Sequence, residues 1–426
     1  MGELSGHWTS GCAYTVQSKS VLKFWIVGVI FFLYTIASSE YLVERGIARY
    51  IEYVAQGALL LFILIPFLRT CSNWKNFLCS ALFLLLITLG LFVQNLSVSI
   101  LIRLIASLVL IALLMTAGGD AFQDERPALA AGWGICWGLL ANLLLGLITG
   151  IDVVNEVAEK GWFGIGFNCG MHVKNFAAIT AFAAFSTFIV YSTINKWSAA
   201  RKVASLLMIV VIYLSDSRTT QIALGVFAVL WVYFSIFPRL KGAVSERAYR
   251  VIVATVVIVV IVAVILGISF LASSSTYAYR YRGLTNYLNK YGQDPFHMMF
   301  GNANMAFGDP SVDYVEAVRA DTGWDGTVEL PLLSVLIKNG LIGLIGYVAV
   351  LACWITKIKQ MVPRVYRACA TLVLLPLLIC SVAENYIVNV HIVYMPLAFC
   401  VLWGLAGCAK SHDVTEAKEP NSNCRE

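Results

Sequence analysis

Residues 77–94 read FLCSALFLLLITLGLFVQ, and no charged side chain interrupts this apolar run. An α-helix needs about 20 such residues to cross the hydrocarbon core of a bilayer. Similar runs recur along the 426 residues, of which 59% are hydrophobic and 13% are charged, whereas a soluble domain carries about 25% charged residues. The pattern predicts an all-α integral membrane protein with about twelve transmembrane helices. The predicted spans are 21–38, 50–68, 77–94, 97–117, 128–150, 175–194, 201–214, 219–237, 250–272, 329–356, 367–383 and 387–408.

Lysine and arginine are distributed unevenly among the loops between these spans. Every second loop is basic, apart from the acidic loop 118–127, and such a bias marks the cytoplasmic side of a membrane protein. The bias also accounts for the net charge of +6, so no nucleic-acid partner is predicted. Both termini are therefore expected in the cytoplasm. The basic loop residues are Arg69, Lys75, Lys196, Arg201, Lys202, Arg239, Lys241, Arg247, Arg250, Lys357, Lys359, Arg364 and Arg367.

One long polar stretch separates the ninth span from the tenth. It divides the chain into spans 1–9 (residues 1–272), a large extracytoplasmic loop (273–328), spans 10–12 (329–408) and a polar cytoplasmic tail (409–426), which is predicted to be disordered. A large folded loop on one face is typical of a membrane protein that binds or changes something on that face. Functional residues are therefore expected on the outer side.

Two arginines lie where the bilayer excludes charge. Arg103 interrupts the fourth span, and Arg218 lies in the polar turn 215–220 between the seventh and eighth spans. Arg103 either forms a structural ion pair or faces an anionic ligand in an outward cavity. Arg218 either pairs with Asp216 or, together with the hydroxyl groups of its turn at a helix N-terminus, anchors an anion.

The long loop begins with aromatic residues at nearly helical spacing over 279–291, which predicts an amphipathic helix in the membrane interface. Arg280 and Arg282 lie on this helix. They either reach lipid phosphates as interface anchors or bind a lipid diphosphate.

A glycine-rich segment leads into the sixth span and ends in polar residues. His172, Lys174 and Asn175 follow three glycines that allow close backbone approach, and they are candidates for the rim of an outward site. The alternative for His172 is an interfacial histidine without a role.

Glu329 opens the tenth span, where an apolar helix meets the outer loop. Its carboxylate is a candidate general base whose pKa burial and nearby arginines would tune, or else a structural helix cap. Asp325, four residues earlier, is a further candidate for the acceptor side of the site. Asp294 and His297 are too few to predict a metal site, so neither metal nor cofactor is predicted.

These segments, in this order, resemble the membrane superfamily of Wzy-type polysaccharide polymerases and WaaL-type O-antigen ligases. The ligases carry histidine at the position of Glu329, eleven residues before Gly340, whereas many polymerases carry an acidic residue, so the polymerases are the better match. The second glycine of one family motif is missing, because Asn302 precedes Ala303. The likeness is carried by Gly166-Phe167 with Lys174-Asn175-Phe176-Ala177, by Ser217-Arg218-Thr219, by Arg280 or Arg282 with Pro295 and Phe300-Gly301-Asn302, and by Glu329 with Asn339-Gly340-Leu341-Ile342-Gly343.

The resemblance implies a GT-C-like glycosyltransferase of the bacterial cytoplasmic membrane with an extracytoplasmic active site. It would polymerise undecaprenyl-diphosphate-linked oligosaccharides, without a cofactor, beside other polysaccharide-assembly membrane proteins. Glu329 would act as the base, and Arg218, Arg282, Arg280 and Arg103 would bind the diphosphate. The alternatives are a ligase, which uses another acceptor, and a flippase, which would show broken helices in matching halves of the chain.

Overall fold

The computed structural model describes residues 18–69, 74–93, 98–155, 166–195, 197–235, 238, 245–251, 254–255, 275–302, 322–323 and 330–418. Within these ranges, β1 (Val154–Asn155) and β2 (Gly166–Phe167) form a short antiparallel pair, and an isolated antiparallel bridge joins Ser39 to Met171. The all-α prediction is therefore confirmed. The helices are α1 (Ser18–Ile36), α2 (Glu40–Glu44), α3 (Ala48–Arg69), α4 (Trp74–Val93), α5 (Val98–Thr116), α6 (Glu125–Thr149), α7 (Lys174–Ile194), α8 (Ala199–Leu214), α9 (Arg218–Ser235), α10 (Ser275–Tyr291), α11 (Pro295–Phe300), α12 (Pro331–Gln360), α13 (Arg364–Ala383) and α14 (Tyr394–Lys418).

Five of the described helices are long and apolar enough to cross a bilayer, namely α3, α6, α7, α12 and α13. Shorter apolar helical stretches cover Leu22–Ile36, Phe77–Val93 and Leu104–Thr116. These helices support a membrane protein. The twelve-span arrangement and the large outer loop stay predictions.

The predicted spans match the helices closely at most ends, because long apolar runs are a local signal. Most of the predicted span 250–272 lies outside the described residues. The last helix begins at Tyr394 rather than at 387, since the Asn389 side chain accepts a hydrogen bond from the His391 backbone N–H at 2.9 Å and forms a turn. It continues to Lys418, so residues 409–418 of the predicted disordered tail are helical.

The chain forms two compact units. The first comprises residues 1–59, 122–217 and 400–426, and α1 packs against α6 within it. A Cβ added to Gly134 would lie 2.1 Å from the Gly28 carbonyl oxygen. The backbones of α1 and α6 therefore approach closely, which small residues at a helix interface allow. The Asn142 amide donates to the Thr35 carbonyl oxygen at 2.9 Å, which satisfies a buried polar group within this unit.

The second unit comprises residues 60–121 and 218–399. Here α12 packs along α4, and α9 packs along α13. The Tyr347 ring meets Phe83 edge-on at 5.4 Å, and the Trp354 indole donates to the Met115 carbonyl oxygen at 2.8 Å. These contacts set the register of α12, the helix that carries Ser334, Lys338 and Gly340.

Candidate functional site

A buried ion pair in the second unit joins the long-loop helix to the end of α13. The Arg280 Nη2 atom lies 3.1 Å from the Glu384 Oε1 atom, and the two side chains are 9% and 8% exposed. Glu384 follows the last residue of α13, and its backbone N–H still bonds the Cys380 carbonyl oxygen at 2.9 Å. The extended backbone at Glu384 ends the helix and directs the chain into a 3₁₀ turn at Tyr386–Val388.

The Glu384 carboxylate also bonds the Thr219 side chain in the first turn of α9. The Cys380 thiol contacts the Thr219 carbonyl oxygen at 3.8 Å, which fixes α9 against α13 at the same point. Burial raises the pKa of the Glu384 carboxyl, and the charge of Arg280 and the Thr219 bond lower it only in part. One carboxyl group thus connects three parts of the sequence that lie far apart in the chain.

The two arginines of the long-loop helix have different environments. Arg280 is buried, whereas Arg282 is exposed, with its guanidinium carbon 5.0 Å from the centre of the Tyr279 ring. Residues two apart on a helix point to nearly opposite sides. Leu284 and Tyr287 pack in one apolar cluster with α12. The helix predicted for 279–291 is therefore confirmed, its place in the membrane interface stays a prediction, and Arg282 is the more exposed of its two arginines.

Arg218 is the first residue of α9 and is half-buried. Asp216, two residues earlier, is buried and has a positive φ of 52°, a conformation that aspartate tolerates better than most residues. Thr219, the last residue of the Ser217-Arg218-Thr219 motif, bonds Glu384. The motif therefore contacts the buried Arg280–Glu384 pair through Thr219.

The two glycine motifs noted in the sequence pack on each other in the second unit. Gly340 interrupts α12 with φ 63° and ψ −169°, and Gly301 has φ 81°. A Cβ added to Gly340 would lie 2.3 Å from the Met299 carbonyl oxygen. The Asn302 backbone N–H donates to the Ile337 carbonyl oxygen at 2.8 Å, so the loop satisfies a carbonyl that the helix break leaves without its usual partner.

We expect Gly340→Ala to destabilise the protein by more than about 2 kcal/mol, because it adds a Cβ against backbone in a left-handed conformation. Gly225→Ala is the matched control, since Gly225 lies in α9 with no other atom within 4 Å of its added Cβ. Thermal unfolding of the purified protein in detergent checks this difference. Equal melting of the two variants would contradict it.

The glycine-rich entry to α7 belongs to the first unit. Gly170 has φ 72°, and an added Cβ would lie 2.2 Å from the Asn142 carbonyl oxygen. The His172 backbone N–H donates to the Ser38 carbonyl oxygen at 2.9 Å. The His172 side chain is exposed, and those of Lys174 and Asn175 are half-buried.

The described residues contain no group of three or more histidine, cysteine, aspartate or glutamate side chains that could hold a metal ion. Asp294 caps α11 by accepting from the Phe296 and His297 backbone N–H groups. The hydrogen bond between the His297 ring and the Asp294 carboxylate is the main cause of a lowered pKa at Asp294, and the two backbone bonds add to it. This pair is thus explained by helix capping.

Some predicted site residues lie outside the described structure. Glu329 and Asp325 fall within the undescribed residues 324–329. The backbone of Arg103 lies in α5, and its side chain is outside the description. Their roles stay predictions. No family model, curated protein or solved structure matches the chain.

Two polar residues of the second unit were not predicted as site residues. Glu384 is a single acidic residue at the end of a predicted apolar span, which is the signal that could have found it. Lys338 is a cation inside the tenth predicted span.

Proposed function

We propose that the protein is a membrane glycosyltransferase that polymerises undecaprenyl-diphosphate-linked oligosaccharide repeat units at the outer face of the bacterial cytoplasmic membrane. The observation that supports this most is the meeting of Arg280 and Thr219 at Glu384. This contact joins α10, which carries Arg282, to the start of α9, which carries Arg218. Both segments contribute to the resemblance to polymerases. A lipid diphosphate needs several cations in one region, because its charge grows as it leaves.

The reaction moves one glycan from a lipid carrier to another. The acceptor hydroxyl oxygen bonds the anomeric carbon of the donor, the bond from that carbon to the diphosphate oxygen breaks, and undecaprenyl diphosphate leaves with the electron pair. The hydroxyl proton passes to Glu329. No ATP is needed, since the diphosphate is itself the leaving group.

The arginines have different tasks in this proposal. Arg282, exposed beside Tyr279, and Arg218 at the start of α9 contact the diphosphate, because a guanidinium matches phosphate oxygens with two parallel N–H groups. Glu384 is a positioning residue that holds Arg280 and orients α10 against α9. Arg103 stays a candidate from the sequence alone.

In the proposed topology both termini are cytoplasmic and the active site is external. Reporter fusions after Lys359 should therefore read cytoplasmic, and fusions within 285–320 should read external, as the basic inner loops predict. An external signal at Lys359 would reverse the orientation and move the arginines of α10 to the wrong face.

Glu329→Gln should lower turnover by at least about 100-fold, the low end for loss of a general base, while lipid-linked donor still binds. Glu329→Asp should keep partial activity, and Glu329→His should retain activity because imidazole accepts the same proton. Single-turnover kinetics with purified donor measures the turnover of each variant and its binding of the donor. Wild-type turnover in Glu329→Gln would leave Glu329 as a helix cap.

The direct test of function uses purified protein with lipid-linked repeat units as the only substrate. A ladder of lengthening lipid-linked glycans is expected, and EDTA should not diminish it. Transfer that occurs only after a different acceptor is added would indicate a ligase. No transfer with either substrate would overturn the proposal.

A further inference from the structure

A cavity of about 80 Å³ lies within the second unit, between α5, α12 and the segment that precedes α14. Its walls combine apolar side chains with a few polar groups, the mixture typical of small-ligand sites. Room for one water takes about 15 Å³, so the cavity could hold several waters or a carboxylate with part of a sugar ring. Its polar lining consists of Ser107, Ser334, Lys338, Asn339, Asn389 and His391.

The break in α12 shapes this cavity. Residues 331–339 form a half-helix that ends at Gly340, so Lys338 lies at its C-terminal end, where the helix dipole favours a positive charge. The Asn339 amide donates to the Ile87 carbonyl oxygen at 2.7 Å, which fixes this end of the half-helix on α4. Irregular backbone inside an apolar region is tolerated where it is buried or lines a cavity.

A hydroxyl group in the cavity wall points to a ligand. Ser334 is 1% exposed, and its Oγ atom has no hydrogen-bond partner among the residues that the structure describes. It precedes Lys338 by four residues, so the two side chains lie on the same face of the half-helix. A buried hydroxyl without a partner costs free energy, and an anion held by Lys338 would accept its hydrogen bond.

We propose that this cavity binds the carboxylate of an acidic sugar in the glycan substrate, with Lys338 as the counter-ion and Ser334 as a hydrogen-bond donor. The assignment of the carboxylate to a glycan rests on the proposed function. Lys338 is the only lysine or arginine among the described residues that line the cavity, whereas phosphate carries more charge and is matched better by arginine forks. The site would select repeat units that contain a uronic acid.

The test uses the full chain in phosphatidylcholine nanodiscs and saturation-transfer NMR. Glucuronate is the probe, glucose is its neutral counterpart, and inorganic phosphate tests the other anion class. Lys338→Met removes the charge at similar length, and Ser334→Ala removes only the hydroxyl. Lys290→Met is the matched control, because Lys290 is exposed on α10.

Glucuronate should bind the wild type and Lys290→Met equally, and Lys338→Met should bind it at least about tenfold more weakly, as expected for loss of a charged hydrogen bond. Ser334→Ala should weaken binding as well, which keeps the test valid should Lys338→Met fail to fold. Equal signals for glucose and glucuronate, unchanged binding in both cavity variants, or preference for phosphate would overturn the proposal.

The same protein samples separate this inference from the proposed function. A ladder from lipid-linked units without glucuronate binding would leave the polymerase intact and remove the acidic-sugar site. Glucuronate binding that depends on Lys338, without any ladder, would keep the site and remove the polymerase.

Discussion

Glu384→Ala is expected to destabilise the protein by about 3–5 kcal/mol, because it leaves the Arg280 guanidinium buried without that carboxylate. Both side chains are less than one-tenth exposed, and the pair joins helices that are far apart in the chain. The Thr219 hydroxyl would lose an acceptor at the same time. Thermal unfolding in detergent measures the effect.

A double variant separates the buried charge from the packing around it. Arg280→Met with Glu384→Leu replaces the ion pair by apolar groups of similar volume, which is often neutral or stabilising in buried positions. We expect it to melt close to the wild type, whereas Glu384→Ala alone does not. Activity in the double variant then tests whether Arg280 only holds α10 in place. Wild-type melting of Glu384→Ala would show that the pair has no structural importance.

The second large effect is expected from Arg218 and Arg282, the two cations proposed to contact the diphosphate. Removing one preorganised donor to a developing negative charge costs about 10²–10³-fold in rate, so Arg218→Ala combined with Arg282→Ala should lower polymer formation by at least about 10³-fold. Protein levels should stay normal, because Arg282 is exposed and its loss removes little packing. The chain length of polymer made by cells and the in vitro ladder both measure this.

Two controls sharpen this second prediction. Lys290→Ala removes an exposed cation from the same helix, and polymer should be unaffected if position matters and overall charge does not. Arg282→Lys should rescue poorly, because a lysine ammonium cannot form the two parallel bonds of a guanidinium. Full activity in the double alanine variant would leave the diphosphate-binding role without support.

The helix positions could be read from the sequence to a large extent. An apolar run of about 20 residues determines a membrane helix almost locally, and the predicted span 175–194 therefore differs from α7 by a single residue at one end. The amphipathic helix at 279–291 was likewise predictable from its aromatic spacing. Helix α14 continues through 409–418 into the predicted tail, because polar composition does not prevent an existing helix from continuing.

The candidate site, like the fold, could be predicted from the sequence only in part. The sequence by itself determined that Arg280 and Arg282 belong to one helix, whereas the positive φ values of Gly301 and Gly340 came from the structure. Only the tertiary structure decided that Arg280 is buried and Arg282 is exposed, because the difference depends on Glu384, which lies 104 residues later in the chain. It also decided that the two glycines meet and that Lys338 and Ser334 line a cavity. These contacts depend on which helices pack together. Helix packing is determined by side chains that are distant from one another in the sequence.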